Sequence, residues 1–196
     1  MTITKNVTTK LTTYLAPMSL VLIMALTRFQ HFGDSLHLPD ASLAVFFLAG
    51  LYQSTVLKRK TVFIILLLMA GIIDFAAIQT GTSAWCISPA YVFLVPTYLV
   101  MWSAGHYCTQ FQHASAYSLV KTLGWIAIAS TAAFFISNMS FYQFSGRYTE
   151  LPIKSYLLDI AHYYPNYVGY TLIYAVLGYA VMIINPSFKA VSLRAA

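Results

Sequence analysis

Charge is what this chain has least of. Only 8% of its 196 residues are Asp, Glu, Lys or Arg, where a soluble domain carries roughly a quarter. So thin a polar shell argues against an ordinary soluble fold, and lipid is the natural solvent for a chain that is 59% hydrophobic. Cysteine is nearly absent too: Cys86 and Cys108 are the only two. That rules out a disulfide framework, and the lack of a C-x-x-C pair argues against a membrane thiol oxidase. No Gly-rich phosphate loop occurs, so no ATPase motor is expected in the chain itself. G-x-S-x-G and helical zinc motifs are missing as well, which weakens a membrane-protease reading. Internal repeats and low-complexity tracts are also lacking, which points to one compact unit.

What is present is apolar on the scale of a bilayer. A spanning helix needs about 20 largely apolar residues, and six runs qualify: about 11–29, 41–56, 61–78, 89–107, 117–137 and 167–184. That division sorts the charges. Lys5, Lys10, Lys58, Arg59, Lys60, Lys121, Lys189 and Arg194 fall in one set of alternate loops, with no acid among them. Arg28, Arg147 and Lys154 fall in the other set, with Asp34, Asp40, Glu150 and Asp159. Cytoplasmic loops gather Lys and Arg. The expected fold is therefore all-α, a polytopic membrane protein with six transmembrane helices in one bundle, a single domain over 1–196 with both termini inside. The first run resembles a signal peptide, but no small-x-small cleavage site follows it, so an uncleaved span is expected. The net charge of +6 follows from this orientation. Its residues are scattered singly apart from Lys58-Arg59-Lys60, which argues against nucleic acid and for the lipid bilayer as partner.

Prolines mark ends and bends. Pro89 suits a first helical turn and Pro186 closes the last span, while Pro17 and Pro96 lie within spans and predict kinks. Three connections face out. The first, about 30–40, holds His31, Asp34, His37 and Asp40; the second reads QTGTSAWCIS over 79–88; the third, about 138–166, is the longest. Within it Ile153, Tyr156, Leu157, Ile160, Ala161 and Tyr164 recur at helical spacing, predicting a short amphipathic helix on the outer surface, placed as a lid.

The outer side also carries the candidate chemistry. Cys86 stands beside Trp85 and just before Pro89, where a helix N-terminus stabilises a thiolate as nucleophile or soft-metal ligand; the plainer alternative is a small buried apolar residue. The topology puts Cys108 at the opposite end, so no disulfide joins them and Cys86 is a free thiol facing an oxidising compartment. Asp74 is the sole acid within a span, roughly 6 Å of helix from its outer end. So costly a carboxylate needs a partner or a wet cavity, and Arg28 is the candidate partner. The pair either fixes helix register or holds a ligand's polar groups, and the two roles are compatible. His31 follows Arg28 by three residues, on the same face if the helix extends that far. An imidazole near a thiol suggests metal or acid–base chemistry, against a solvated loop histidine. Trp85, Tyr91, Phe141, Tyr142, Tyr163 and Tyr164 suit an interfacial aromatic belt or the wall of a cavity for a flat ligand.

With H-F-G-D at 31–34, D-F-A-A at 74–77 and W-C-I-S-P-A-Y at 85–91, the whole chain resembles the BtuM family. These are small cobalamin transporters related to the substrate-binding components of energy-coupling factor transporters. The discriminating constellation is His31, Asp74, Cys86 and Tyr91. The resemblance implies an S-component-like bundle in the bacterial cytoplasmic (inner) membrane that binds cobalamin on its outer face. It implies Cys86 as an axial thiolate ligand to cobalt, displacing the nucleotide base to give a base-off form. His31 would approach the opposite axial face or bond a corrin amide, and Asp74 and Tyr91 would orient the cysteine loop or the corrin side chains, with Arg28 and Trp85 beside them. Electron donation by the thiolate would labilise an upper ligand such as cyanide, making Cys86 the candidate for decyanation.

One feature departs from that pattern. Small residues four apart on the first helix dock the shared membrane subunit of energy-coupling factor transporters, but here Ala16 is followed by Leu20 and Ser19 by Ile23. An energy-coupling ATPase module is then absent or weakly docked. Two other classes stay open: a membrane enzyme using Cys86 and His31 as nucleophile and base, and a haem or metal transporter using the same pair.

Overall fold

A computed structural model describes residues 17–29, 38–52, 58–81, 83–111 and 116–184. Among them all regular structure is helical: α1 (Pro17–Arg28), α2 (Ser42–Leu51), α3 (Arg59–Gln79), α4 (Leu94–Cys108), α5 (Ala116–Phe144), α6 (Ile153–Ala161) and α7 (Tyr164–Ile184). Two of these, α3 and α5, are long and apolar enough to cross a membrane.

The centre of the bundle is α2. Each of its ten residues is buried, as expected of a helix that is apolar all round. At roughly 15 Å it is half the thickness of a hydrocarbon core. The helix stops at Leu51, short of the expected span over 41–56, and residues 53–57 lie outside the described part. Against α2 packs α4, with two glycines at the crossing. A Cβ on Gly105 would overlap the Phe47 carbonyl oxygen, and one on Gly50 would overlap that of Trp102. Small residues let backbones approach where hydrophobic burial gives helices no preference for each other over lipid.

Other boundaries also differ from expectation. The chain enters the fourth run as a 3₁₀ helix, Pro89–Phe93, and becomes α-helical only at Leu94. Pro96 therefore sits in the first turn of α4, where its missing N–H takes no bond from the helix, so the expected kink has no cause. The helix α5 runs to Phe144, past the expected 137, because Phe141 and Phe144 have rings to meet: Phe144 stacks on Phe93 at 4.9 Å. This shortens the third connection. The amphipathic helix is present as α6, ending at Ala161; Tyr156 and Ile160 are buried against Phe134, while Ile153 and Leu157 are exposed.

The outward faces are as apolar as the interior. On α3 they show Ile64, Leu68, Ile72 and Phe75, and on α7 Ile173, Leu177 and Val181. Several buried hydroxyls turn back on the local backbone: Thr97, Ser130 and Thr171 each donate to the carbonyl four residues back. That pattern suits a medium with no water to offer. Arg59 lies 3.3 Å from His106, so the start of α3 adjoins the end of α4. The basic triplet Lys58-Arg59-Lys60 is thus at the end of the bundle opposite Asp74, Tyr91 and the 84–86 turn.

Candidate functional site

At that other end the helices diverge around a cavity of about 710 Å³. Its floor is made by the ends of α1 and α3 and the start of α2. Arg28 closes α1 and is 4% exposed. Its Nε donates to Asp74 Oδ1 and its Nη2 to Asp74 Oδ2, both at 2.6 Å. The bidentate fork matches guanidinium to carboxylate geometry, and the pairing expected from the sequence is present. Nη1 donates to the Tyr98 hydroxyl at 2.6 Å and to Ser42 Oγ at 3.1 Å, with Asp40 Oδ2 further off at 3.4 Å. Tyr91 completes the set by donating to Asp74 Oδ2 at 2.7 Å.

The Asp74 carboxylate thus accepts three strong bonds, one at Oδ1 and two at Oδ2. So engaged, it serves as a hub that holds α1, α3 and the Pro89–Phe93 turn in register. Asp40 has a second task. Its Oδ1 accepts from the Ser42 backbone N–H at 2.9 Å and from Ser42 Oγ at 2.6 Å, an Asx turn that leads the chain into α2. Beneath the floor Tyr98 stacks on Phe46, 4.2 Å between centroids and 6° from parallel.

The wall is aromatic. Of the rings singled out from the sequence, Trp85, Tyr91, Phe141 and Tyr163 line the cavity. Tyr142 and Tyr164 do not: the first donates to the Leu151 carbonyl at 2.7 Å and the second pairs with Thr131 at 2.8 Å. Tyr98, Tyr148, Tyr156, Tyr167 and Tyr170 take part unforeseen. The sequence did hold a signal for Tyr98, which lies seven residues after Tyr91 and so roughly two turns along the same face.

The turn bearing Cys86 borders this space. Ala84–Cys86 form a single 3₁₀ turn, opened by Ser83, whose Oγ accepts from the Trp85 N–H at 3.2 Å. Trp85 and Ile87, the neighbours of Cys86 on either side, both line the cavity. The side chain of Cys86 and all of His31 lie outside the described part. Across the mouth, the Arg147 guanidinium sits 3.8 Å from the Trp85 ring centroid, a cation–π contact. It ties the 84–86 turn to the segment after Gly146, whose φ of 71° is the left-handed conformation that favours glycine. Cys108 is buried at the far end of α4. No group of three His, Cys, Asp or Glu fit for a metal ion occurs among the described residues.

The segment from α5 to α6 closes over one side. Tyr156 Oη donates to the Asn138 carbonyl at 2.9 Å, and its ring meets those of Tyr142 and Tyr148 at 4.8 Å. Burial, then the adjacent Tyr148, push the Tyr156 phenol from its usual 10 up to about 12. A phenol raised in the folded state keeps its stabilising contribution below pH 10 and loses it as pH climbs towards 12. Protection of the α6 amides, taken as exchange relative to an unstructured chain at the same pH, is expected to fall over that window in the wild type. In Tyr156→Phe it should be lower already at neutral pH, with the alkaline step removed; an unchanged step would assign the titration elsewhere.

No family model matches this chain, and no curated protein matches it.

Proposed function

We propose that this protein is a six-span uptake transporter of the bacterial cytoplasmic membrane, both termini inside, which takes cobalamin into the outer cavity. The observation that carries the reading is the position of the cysteine turn, with Trp85 and Ile87 flanking Cys86 and both lining an aromatic-walled space of about 710 Å³. A flat macrocycle suits aromatic walls, and its amide-bearing edge suits a floor of charged and hydroxyl groups. Cobalt held in a corrin has only two axial positions left, so a single thiolate suffices and a three-residue metal cluster is unnecessary. In this reading Cys86 supplies that thiolate and gives a base-off complex. Arg28, Asp74 and Tyr91 fix the floor against which the corrin rests, Trp85 packs at the rim, and His31 serves the opposite axial face or a corrin amide. Loss of cyanide from the far face is then ligand exchange: cyanide departs with its bonding pair and water replaces it.

The six-span topology is supported by the apolar outward faces and by the segregation of the basic triplet from the cavity. The exposed face of α1 presents Met18, Leu22 and Leu26, bulky residues where a partner helix would need small ones. That supports transport without a tightly docked ATPase module. In cells lacking their own cobalamin uptake, expression of this chain is expected to restore it. Cys86→Ser should lower the restored uptake by roughly tenfold or more, an affinity loss of about 1.4 kcal/mol or greater, at equal membrane abundance. Undiminished uptake by Cys86→Ser would refute the ligand role.

A further inference from the structure

We infer that the cavity floor selects its ligand through a hydrogen-bond acceptor, Asp40 Oδ2, and so takes uncharged carboxamide N–H groups while rejecting carboxylates. The inference rests on the cobalamin reading for the ligand's identity, and on the floor's own geometry for its polarity.

Among the described lining residues one is basic and two are acidic: Arg28, Asp40 and Asp74. One positive and two negative charges leave a net of minus one. The cation is fully committed, since Asp74, Tyr98 and Ser42 take its short bonds. Asp74 is committed as well, holding Arg28 and Tyr91. Asp40 is not. Its Oδ1 is used by Ser42, but among the described residues the nearest donor to Oδ2 is Arg28 Nη1 at 3.4 Å. A carboxylate offers about four lone-pair positions, and here those of Oδ2 are largely unspent on a side chain 32% exposed and lining the cavity. The excess charge and the open acceptor coincide on one carboxylate.

A ligand edge settling on this floor must bring donors. The corrin periphery does so with primary carboxamides, each with two N–H groups. Hydrolysis of one such arm to an acid changes little in shape. However, it sets an anion against a net negative floor and leaves acceptor facing acceptor, a combination that a polar site rejects strongly.

The test compares cobalamin with its separated monocarboxylate isomers, each with one amide arm hydrolysed, by visible-absorption titration of the purified protein. Wild type is expected to bind at least one isomer roughly tenfold more weakly than cobalamin. Asp40→Asn keeps Oδ1 for Ser42 and places an N–H2 where Oδ2 stood, so it should erase or invert that preference for the same isomer. Asp40→Glu, which retains the charge, should preserve the preference, and melting temperatures of both variants check the fold. Equal binding of all isomers by wild type overturns the inference, as does a preference undiminished in Asp40→Asn, while leaving cobalamin binding intact. A wild type whose addition changes no corrin spectrum overturns the cobalamin reading itself and this inference with it.

Discussion

Replacing Arg28 by Ala is expected to destabilise the protein by about 3–5 kcal/mol, the cost of removing one partner from a buried ion pair. In a chain of this size that corresponds to a melting shift on the order of 10 °C. The reason lies in what remains. Asp74 and Asp40 would face the cavity floor with no cation between them, and Tyr98 and Ser42 would lose their shared donor. Asp74→Ala should cost less, because Arg28 keeps Tyr98, Ser42 and Asp40 as partners. Arg28→Met combined with Asp74→Leu should recover most of the loss, since an apolar pair of similar volume leaves no charge unpaired. Thermal melting in detergent checks the order: Arg28→Ala worst, Asp74→Ala next, the double replacement mildest. Should the double variant melt no higher than Arg28→Ala alone, the buried pair is not what these residues contribute. The double variant also lacks the acceptor for Tyr91, so it separates folding from ligand binding.

Gly105→Ala is expected to cost about 3 kcal/mol, at the upper end of overpacking. The added methyl meets the Phe47 carbonyl, a backbone atom, so α2 and α4 must part along their contact. Gly50→Ala does the same from the other side, against the Trp102 carbonyl. The two substitutions should not add: once one methyl has forced the helices apart, the second has room, so the double variant should fall short of the sum by about 1 kcal/mol or more. Melting curves of the three variants measure this. Gly105→Ala at wild-type stability would mean the helices are not in backbone contact there. Because α2 carries Ser42 and abuts Asp40, parting of this pair should loosen the cavity floor, so cobalamin affinity is expected to fall with stability.

The helices themselves were plain in the sequence as apolar runs, and the Arg28–Asp74 pair followed from the cost of a lone acid in a span. Within the 41–56 run the helix stops at Leu51, where Tyr52 turns to extended backbone, a change of direction that apolar composition does not signal. The stretch 138–144 falls in the third outer connection on apolar pattern alone, but tertiary stacking of Phe144 on Phe93 carries α5 through it. Gly50 and Gly105 passed unnoticed, since a single glycine in an apolar run signals nothing until its facing backbone is known. Asp40 was visible only as an outer-loop acid. Its role as both Asx turn and open acceptor depends on where α2 begins, which the pattern does not fix to the residue.

The most direct measurement is the visible spectrum of cobalamin bound to the purified protein, with Cys86→Ala beside it. A base-off, thiolate-ligated spectrum is expected in the wild type. Cys86→Ala should either leave the ligand base-on or fail to hold it, while melting as the wild type does. A base-on spectrum in the wild type, or an identical base-off spectrum in the variant, would contradict ligation by Cys86.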